Sequence, residues 1–372
     1  MIKPFYLDLS AQEIESIQKK LGEILVGGTL ILGPYTERFE SQFANYIGCK
    51  HAVALNSGTS ALEVLLDLKG AKGREIAVPT NTNFATVAAI LRVGGQPVFM
   101  DMTSSHFVPN LEILEMTIKR HPNVAGVVWV HIGGIIAPDF EAVAEYCRAR
   151  GIFLIEDAAH AHGSMINGTK AGNLADGGAF SFFPTKVMTT IEGGMVTTNN
   201  QEEAELVKSF RNQGKRAASY GGMHYDLGNS WRISEIAAYI GLVQLAKLDS
   251  MIATRQKAVD QIVPVLLEQG IAFCDTSHMD QASQYKFIIR FSEGASLDAL
   301  KAKFFESGVV LGGGVYEVPC HLQPVFQEVA FRREDLVNAE RFCPAHICPP
   351  ITSGTSSEDV SKINTTIVKE LQ

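Results

Sequence analysis

The sequence predicts an α/β fold: a large unit with a mostly parallel sheet covered by helices on both faces, then a smaller C-terminal α+β unit. Two observations predict it. Short apolar runs alternate with helical patterns over the first two-thirds of the chain. From about Ser234 long helices take over, with little strand signal. Alternation of the first kind argues for a parallel sheet buried between helical layers. The expected units are residues 1–249, including the N-terminal segment, and 250–372.

Ile76-Ala77-Val78, Val98-Phe99-Met100, Val127-Val128-Trp129-Val130 and Ile152-Phe153-Leu154-Ile155 read as buried strands. Each is short, mostly β-branched or aromatic, and flanked by polar, Gly or Pro residues. Between them, Ser60 to Leu68 carries Ala61, Leu62, Val64, Leu65 and Leu68 on one helical face, with Ser57 or Thr59 as N-cap. Thr82 to Val93 and Phe140 to Arg150 read the same way. Ser234 to Lys247 and Asp249 to Leu267 read as long helices. Tyr285, Phe287, Ile289 and Phe291 alternate with Lys286, Ile288 and Arg290, the pattern of a half-buried strand. Ser296 opens a helix ending near Gly308, and a last helix runs from about Ser357 to Leu371.

Composition narrows the function. The 372 residues are 46% hydrophobic and 19% charged. Against a usual charged share of about 25%, this excludes a disordered chain and predicts surface buried in an oligomer. The 32 basic and 40 acidic residues leave a net charge of −8 without any basic stripe, so no nucleic-acid partner is expected. No run approaches the ~18 apolar residues of a membrane span. The start, Met1 to Phe5, lacks the apolar segment of a signal peptide, and a cytoplasmic protein is expected. The 6 cysteines are scattered, with no Cys-x-x-Cys pair. Cys343, His346 and Cys348 lie close together, but a zinc site needs further ligands at defined spacing, so no metal is expected.

Three local signals bear on chemistry. Lys186 closes Ser181-Phe182-Phe183-Pro184-Thr185-Lys186, on a loop between strand-like runs; alone it reads as a surface lysine. Asp157 follows an apolar strand, where open α/β sheets bind ligands, although Asp also caps helices. Asn56-Ser57-Gly58-Thr59-Ser60 opens a helix, and free N–H groups there can hold an anion. Neither Gly-x-Gly-x-x-Gly nor Gly-x-x-x-x-Gly-Lys-Ser/Thr is present, so dinucleotide and nucleoside-triphosphate sites lack support. In this order on an α/β sheet, a phosphate cup, a strand-end carboxylate and a loop lysine suit pyridoxal 5'-phosphate. The amine can form a Schiff base with the aldehyde, and the carboxylate can keep the pyridine nitrogen protonated. The ring then serves as an electron sink.

On these residues the chain resembles the DegT-type sugar aminotransferases, within the fold-type-I pyridoxal-phosphate enzymes. The match extends from Gly28-Thr29-Leu30 and Gly33 to Glu40, through Ser57 to Leu62, Glu156 to Gly163, Ser181 to Lys186 and Glu192 to Met195, to His321-Leu322-Gln323-Pro324. The resemblance implies Lys186 as the Schiff-base lysine and proton carrier, and Asp157 as the partner of the ring nitrogen. It implies Gly58, Thr59 and Ser181 as phosphate contacts and His160 as a neighbour of the phenolic oxygen. Arg232 matches an arginine that can engage the donor's carboxylate. Tyr316 and His321 fall in a stretch that lines the sugar pocket. A homodimer with shared active sites is also implied.

Two positions depart from the family pattern. An aromatic residue usually stacks on the cofactor ring; here Pro79-Thr80-Asn81-Thr82 is followed by Asn83, and Phe84 comes one later. Either the Asn83 amide covers the ring or the loop offers Phe84. An Asn usually stands two residues before the arginine and contacts the neighbouring subunit's phosphate. Ser230 holds that position here, beside Asn229, and both are candidates.

The resemblance implies transfer of an amino group from an amino acid, with glutamate the expected donor, to a keto-sugar, expected to be a nucleotide-linked keto-deoxysugar. The alternatives are a pyridoxal-phosphate-dependent sugar dehydratase and a cofactor-binding regulator without catalysis. Dehydratases that resemble this family carry His in place of the lysine, so Lys186 favours transamination. A nicotinamide oxidoreductase lacks its glycine fingerprint, and a hydrolase on Cys320-His321 would need adjacent side chains that point apart. His131 ends a strand and reads either as a site residue or as a satisfied core residue. The loop from Ala217 to Leu227 is expected to shape the pocket.

Overall fold

The computed structural model describes residues 1–216, 222–292, 294–330 and 335–371. In chain order these form α1 (Ala11–Gly27), α2 (Pro34–Ile47), β1 (His51–Leu55), α3 (Gly58–Leu68), β2 (Glu75–Pro79), α4 (Phe84–Arg92) and β3 (Gln96–Met100). Next come α5 (Leu111–Arg120), β4 (Val124–Val130), α6 (Phe140–Ala149), β5 (Phe153–Asp157), a small hairpin of β6 (Met165–Ile166) and β7 (Thr169–Lys170), β8 (Gly177–Ser181) and β9 (Gly194–Thr198). The chain continues through α7 (Gln201–Arg211), α8 (Glu235–Leu245), α9 (Leu248–Glu268), β10 (Ile289–Arg290), α10 (Leu297–Glu306), α11 (Val337–Phe342), β11 (His346–Ile347) and α12 (Ser357–Glu370).

Seven strands form one sheet in the order β1-β9-β8-β5-β4-β2-β3. Only β9 runs against its neighbours; the other adjacent pairs are parallel. This is the mostly parallel sheet that the alternating runs predict. Its strands are buried, as sheets covered on both faces require. One apolar cluster contains Trp129, Phe140, Phe180 and Met195. A second contains Val53, Leu65, Ile76, Val128 and Ile155. Because β1, β2, β4, β5 and β8 point the same way, their carboxyl ends share one edge. The loops leaving that edge carry Ser57, Asn83, His160 and Lys186.

Local signals set the helix starts. Ser57 caps α3 by accepting from Ser60 N at 3.1 Å, and Asn83 caps α4 by accepting from Ala85 N at 2.9 Å. Ser234 caps α8, and Ser10 and Ser356 form capping boxes on α1 and α12.

A third cluster joins α9, α10 and α12 through Ala258, Ile262, Phe304, Ile363 and Ile367. Two details differ from the sequence expectation. Ile2 belongs to this cluster rather than to the large unit: Ile2 N donates to Gly308 O, and Val310 N donates to Ile2 O, both at 2.9 Å. The 285–291 segment contributes only β10 to a ladder, paired with β11. The alternation is present, with Phe287 and Ile289 packed into the third cluster and Ile288 into the first, but the strand is not half-buried. A segment between two cores buries both faces. Helix α9 runs unbroken across residues 249 and 250. Among the described residues, no single helix is long and apolar enough to cross a membrane.

Candidate active site

A cavity of ≈ 300 Å³ opens at the carboxyl edge of the sheet. One end is the start of α3. Gly58 lies so close to β8 that a Cβ there would stand 2.7 Å from Ser181 Cβ and 3.1 Å from Ser181 Cα. Glycine therefore lets the helix start approach Ser181 directly. The first N–H groups of α3 and the hydroxyls of Thr59 and Ser181 make this end suited to an anion.

Asp157 ends β5 and lines the cavity. Its Oδ2 accepts from Thr86 Oγ1 at 2.8 Å, and its Oδ1 accepts from Ala159 N at 3.2 Å. Thr86 has one hydroxyl proton and spends it on Asp157, so the 2.8 Å contact between Thr82 and Thr86 is donated by Thr82. Burial raises the Asp157 pKa, with the Thr86 and Ala159 hydrogen bonds and the Lys186 ammonium pulling the other way. A protonated ring nitrogen beside it would favour the ionised form.

Lys186 lines the same cavity, its Nζ 5.1 Å from the centre of the Tyr285 ring. Burial lowers its amine from 10.5 to about 8; Asp157 opposes this and Lys286 adds to it. An amine that changes protonation near neutral pH can act as nucleophile, base and acid.

His160 forms part of the wall. Gly133 N donates to its Nδ1 at 3.2 Å, and its Nε2 lies 3.3 Å from the Tyr316 hydroxyl. Burial, then Lys186 and Lys286, hold its pKa well below the ordinary value. The ring is therefore neutral, with Nδ1 as acceptor and Nε2 carrying the proton toward Tyr316. Tyr285 packs against it at 4.3 Å between ring centres.

A model of the DegT/DnrJ/EryC1/StrS aminotransferase family matches residues 11–368. The chain belongs to that family. It is a pyridoxal-phosphate-dependent aminotransferase. It is similar to the spore coat polysaccharide biosynthesis protein SpsC of Bacillus subtilis, with 31% identity over 382 residues covering 97% of this chain and 95% of that protein. It is also similar to the GDP-perosamine synthase of Caulobacter vibrioides, with 31% identity over 342 residues and 89% of each chain covered. Among solved structures, S. venezuelae DesV in complex with a ketimine intermediate superposes with a TM-score of 0.91. The two chains are 28% identical, with 99% of this chain and 98% of that chain covered.

The aminotransferase cavity brings together Gly58, Thr59, Asn83, Asp157, His160, Ser181, Lys186 and Tyr316. Four expected residues lie elsewhere. His321 departs from the expected sugar pocket: it is buried, its Nδ1 lies 2.6 Å from Thr80 Oγ1, and its Nε2 lies 3.3 Å from Glu340. Arg232 does not line the chain's own cavity. Its Nη1 donates to Asn212 Oδ1 at 3.1 Å and its Nη2 to Ser230 Oγ at 2.5 Å. Asn229 and Ser230 are likewise outside it, on backbone tied to Phe210 and Asn212.

Between Asn83 and Phe84, Asn83 lines the cavity, while Phe84 turns away and stacks on Phe326 at 5.6 Å. His131 is a core residue, its Nε2 3.0 Å from Glu156. Of the loop from Ala217 to Leu227, residues 217–221 lie outside the described residues. Sequence reasoning missed Thr86 and Tyr285. The Thr82–Thr86 spacing across the start of α4 signals the first; Tyr285 is hidden in an apparent strand pattern.

The donor set fits the cofactor chemically: an anion-binding helix start, a buried carboxylate, and a depressed lysine amine share one cavity.

Proposed function

We propose that this aminotransferase moves an amino group from glutamate to a nucleotide-linked keto-deoxysugar. Convergence of Lys186, Asp157 and the α3 start on one cavity supports transamination most directly. The acceptor class is supported by the relatives, a GDP-perosamine synthase among them.

Bound pyridoxal phosphate supplies an electron sink for the carbanion left when a proton departs from carbon. Gly58, Thr59 and Ser181 would hold its phosphate, and Asp157 its ring nitrogen. His160 would lie beside the phenolic oxygen, and Asn83 would cover the ring by its amide plane. Lys186 would hold the aldehyde carbon. Once displaced, the Lys186 amine would take a proton from the donor's carbon and return one to the sugar's carbon. Its pKa of about 8 makes both protonation states accessible. Tyr316, beside His160, would border the sugar.

Asn229 or Ser230 would reach the phosphate of a second subunit, and Arg232 would meet the donor's carboxylate. The low charged share of 19% supports a homodimer with shared active sites. Six free cysteines suit a cytoplasmic protein. The separate cluster around α9, α10 and α12 supports a second unit near 250–372, joined by Ile2 and entered by α9 across residues 249 and 250.

The test is a screen of nucleotide-linked keto-sugars with glutamate, read by mass spectrometry of the amino product. Full turnover by Lys186→Ala would overturn the mechanism.

A further inference from the structure

We infer that Lys286 and Arg255 form an anion subsite that takes a carboxylate or phosphate of the substrate, next to the cofactor cavity. The inference rests on the aminotransferase reading above, in which both substrates carry anionic groups.

A second cavity of ≈ 260 Å³ lies against the first. His160 and Tyr316 line both, and Thr185 on the second wall immediately precedes Lys186. Two cations face this second space. Arg255 is only 5% exposed. Its Nη1 donates to the carbonyls of Gln284 and Ile351 at 3.2 and 2.8 Å, and its buried Nε has no hydrogen-bond partner among the described residues. Among the described residues, no hydrogen bond or ion pair reaches the Lys286 ammonium. It stands 5.7 Å from the centre of the Tyr285 ring. Gly312 keeps room around it, since a Cβ there would lie 3.2 Å from Lys286 Nζ and 2.8 Å from Pro4 Cβ.

No Asp or Glu is among the described residues lining the cavity. Asp8 influences Arg255 but bonds Lys247 at 2.9 Å. Burial pushes the Cys348 thiol up to about 12 and raises Tyr285, so both are neutral at pH 7. Burial likewise lowers Arg255 to about 10 and depresses Lys286, which Arg255 further repels. A buried and a half-buried cation side by side without an acid are unfavourable. An anion between them offsets that cost and gains charge-assisted hydrogen bonds.

Two sources share this chemistry: the donor's carboxylates and the nucleotide's phosphates. Calorimetry on the cofactor-loaded protein separates them, with glutarate and inorganic pyrophosphate as probes. The wild type should bind at least one, and Lys286→Met should weaken that probe by about tenfold or more, while Lys286→Arg retains it. Unchanged cofactor absorbance and melting temperature show that the variant is folded; Lys286→Gln replaces it otherwise. Loss of glutarate assigns the subsite to the donor, and loss of pyrophosphate assigns it to the nucleotide. Equal binding by wild type and variant, or no binding by the wild type, overturns the subsite. Probes bound through Lys286 without transfer from glutamate to any keto-sugar would sink the sugar reading alone.

Discussion

Glu156 and Asp157 are neighbours in β5, yet their carboxylates serve opposite faces of the sheet. Glu156 accepts from Gly172 N at 2.7 Å, Leu174 N at 2.8 Å and Ala175 N at 3.0 Å, and lies 3.0 Å from His131 Nε2. Asp157 faces the cavity and Thr86. Strand alternation separates them. Glu156→Gln should cost on the order of 2–4 kcal/mol of stability, because buried N–H groups lose their acceptor. Asp157→Asn should leave the melting temperature nearly unchanged and lower turnover by about a hundredfold or more. Matching effects of the two variants on both measurements would contradict this division.

Lys186 makes stability depend on pH in the protein freed of cofactor. Its folded pKa of about 8 lies below the 10.5 of an ordinary lysine. Below pH 8 both folded and unfolded states are protonated, and the fold carries the cost of a desolvated ammonium. Between about 8 and 10.5 the unfolded state binds more protons, so this contribution to stability rises with pH. Lys186→Met should therefore be more stable than wild type at pH 7 by roughly 1–3 kcal/mol, discounted for the solvent that enters the cavity. The difference should shrink toward pH 10.5. Identical urea midpoints at pH 7 would count against the depressed amine.

His162 acts on the acid side. It is fully buried, its ring against Phe180 and Phe182. Burial lowers its pKa from 6.5 to about 3. As pH falls through that window the unfolded state takes up a proton that the fold refuses, so stability is lost. Relative to wild type, His162→Phe should recover about 2 kcal/mol of the loss between pH 7 and pH 5. Parallel stability curves for the two proteins would refute it.

Gly58→Ala tests the helix start. The new Cβ would meet Ser181 Cα at 3.1 Å and the Phe180 carbonyl at 3.2 Å, both backbone atoms that cannot step aside. Pushing α3 away from β8 should cost about 1–3 kcal/mol in stability. Cofactor affinity, followed by absorbance titration, should fall as well. Unaltered affinity would separate the α3 start from phosphate binding.

Asn229 and Ser230 test the dimer. A protein lacking both side chains should bind cofactor weakly, as should its mixture with wild type in proportion to the mutant sites. Mixing it with Lys186→Ala should restore activity in hybrid dimers, each with one intact composite site. No recovery after subunit exchange would argue against sharing.

The sequence by itself determined the elements that depend on near neighbours. Strand runs such as Val127 to Val130, the helices opening near Ser57 and Ser234, and the order of Ser57-Gly58, Asp157 and Lys186 follow from periodicities of two and 3.6 residues and from hydrogen bonds within a turn. Tertiary structure decided what depends on strands brought together from far apart. Thr86 reaches Asp157 across 71 residues, and His321 reaches Thr80 across 241 and is buried there. The same packing directs Asn83 into the cavity and Phe84 onto Phe326. It also places Ile288 in one core while its neighbours enter another. Local pattern specifies which face of an element is apolar. Which other element meets that face is set by strand order and by the crossovers that close the sheet, a long-range choice that no short window of sequence contains.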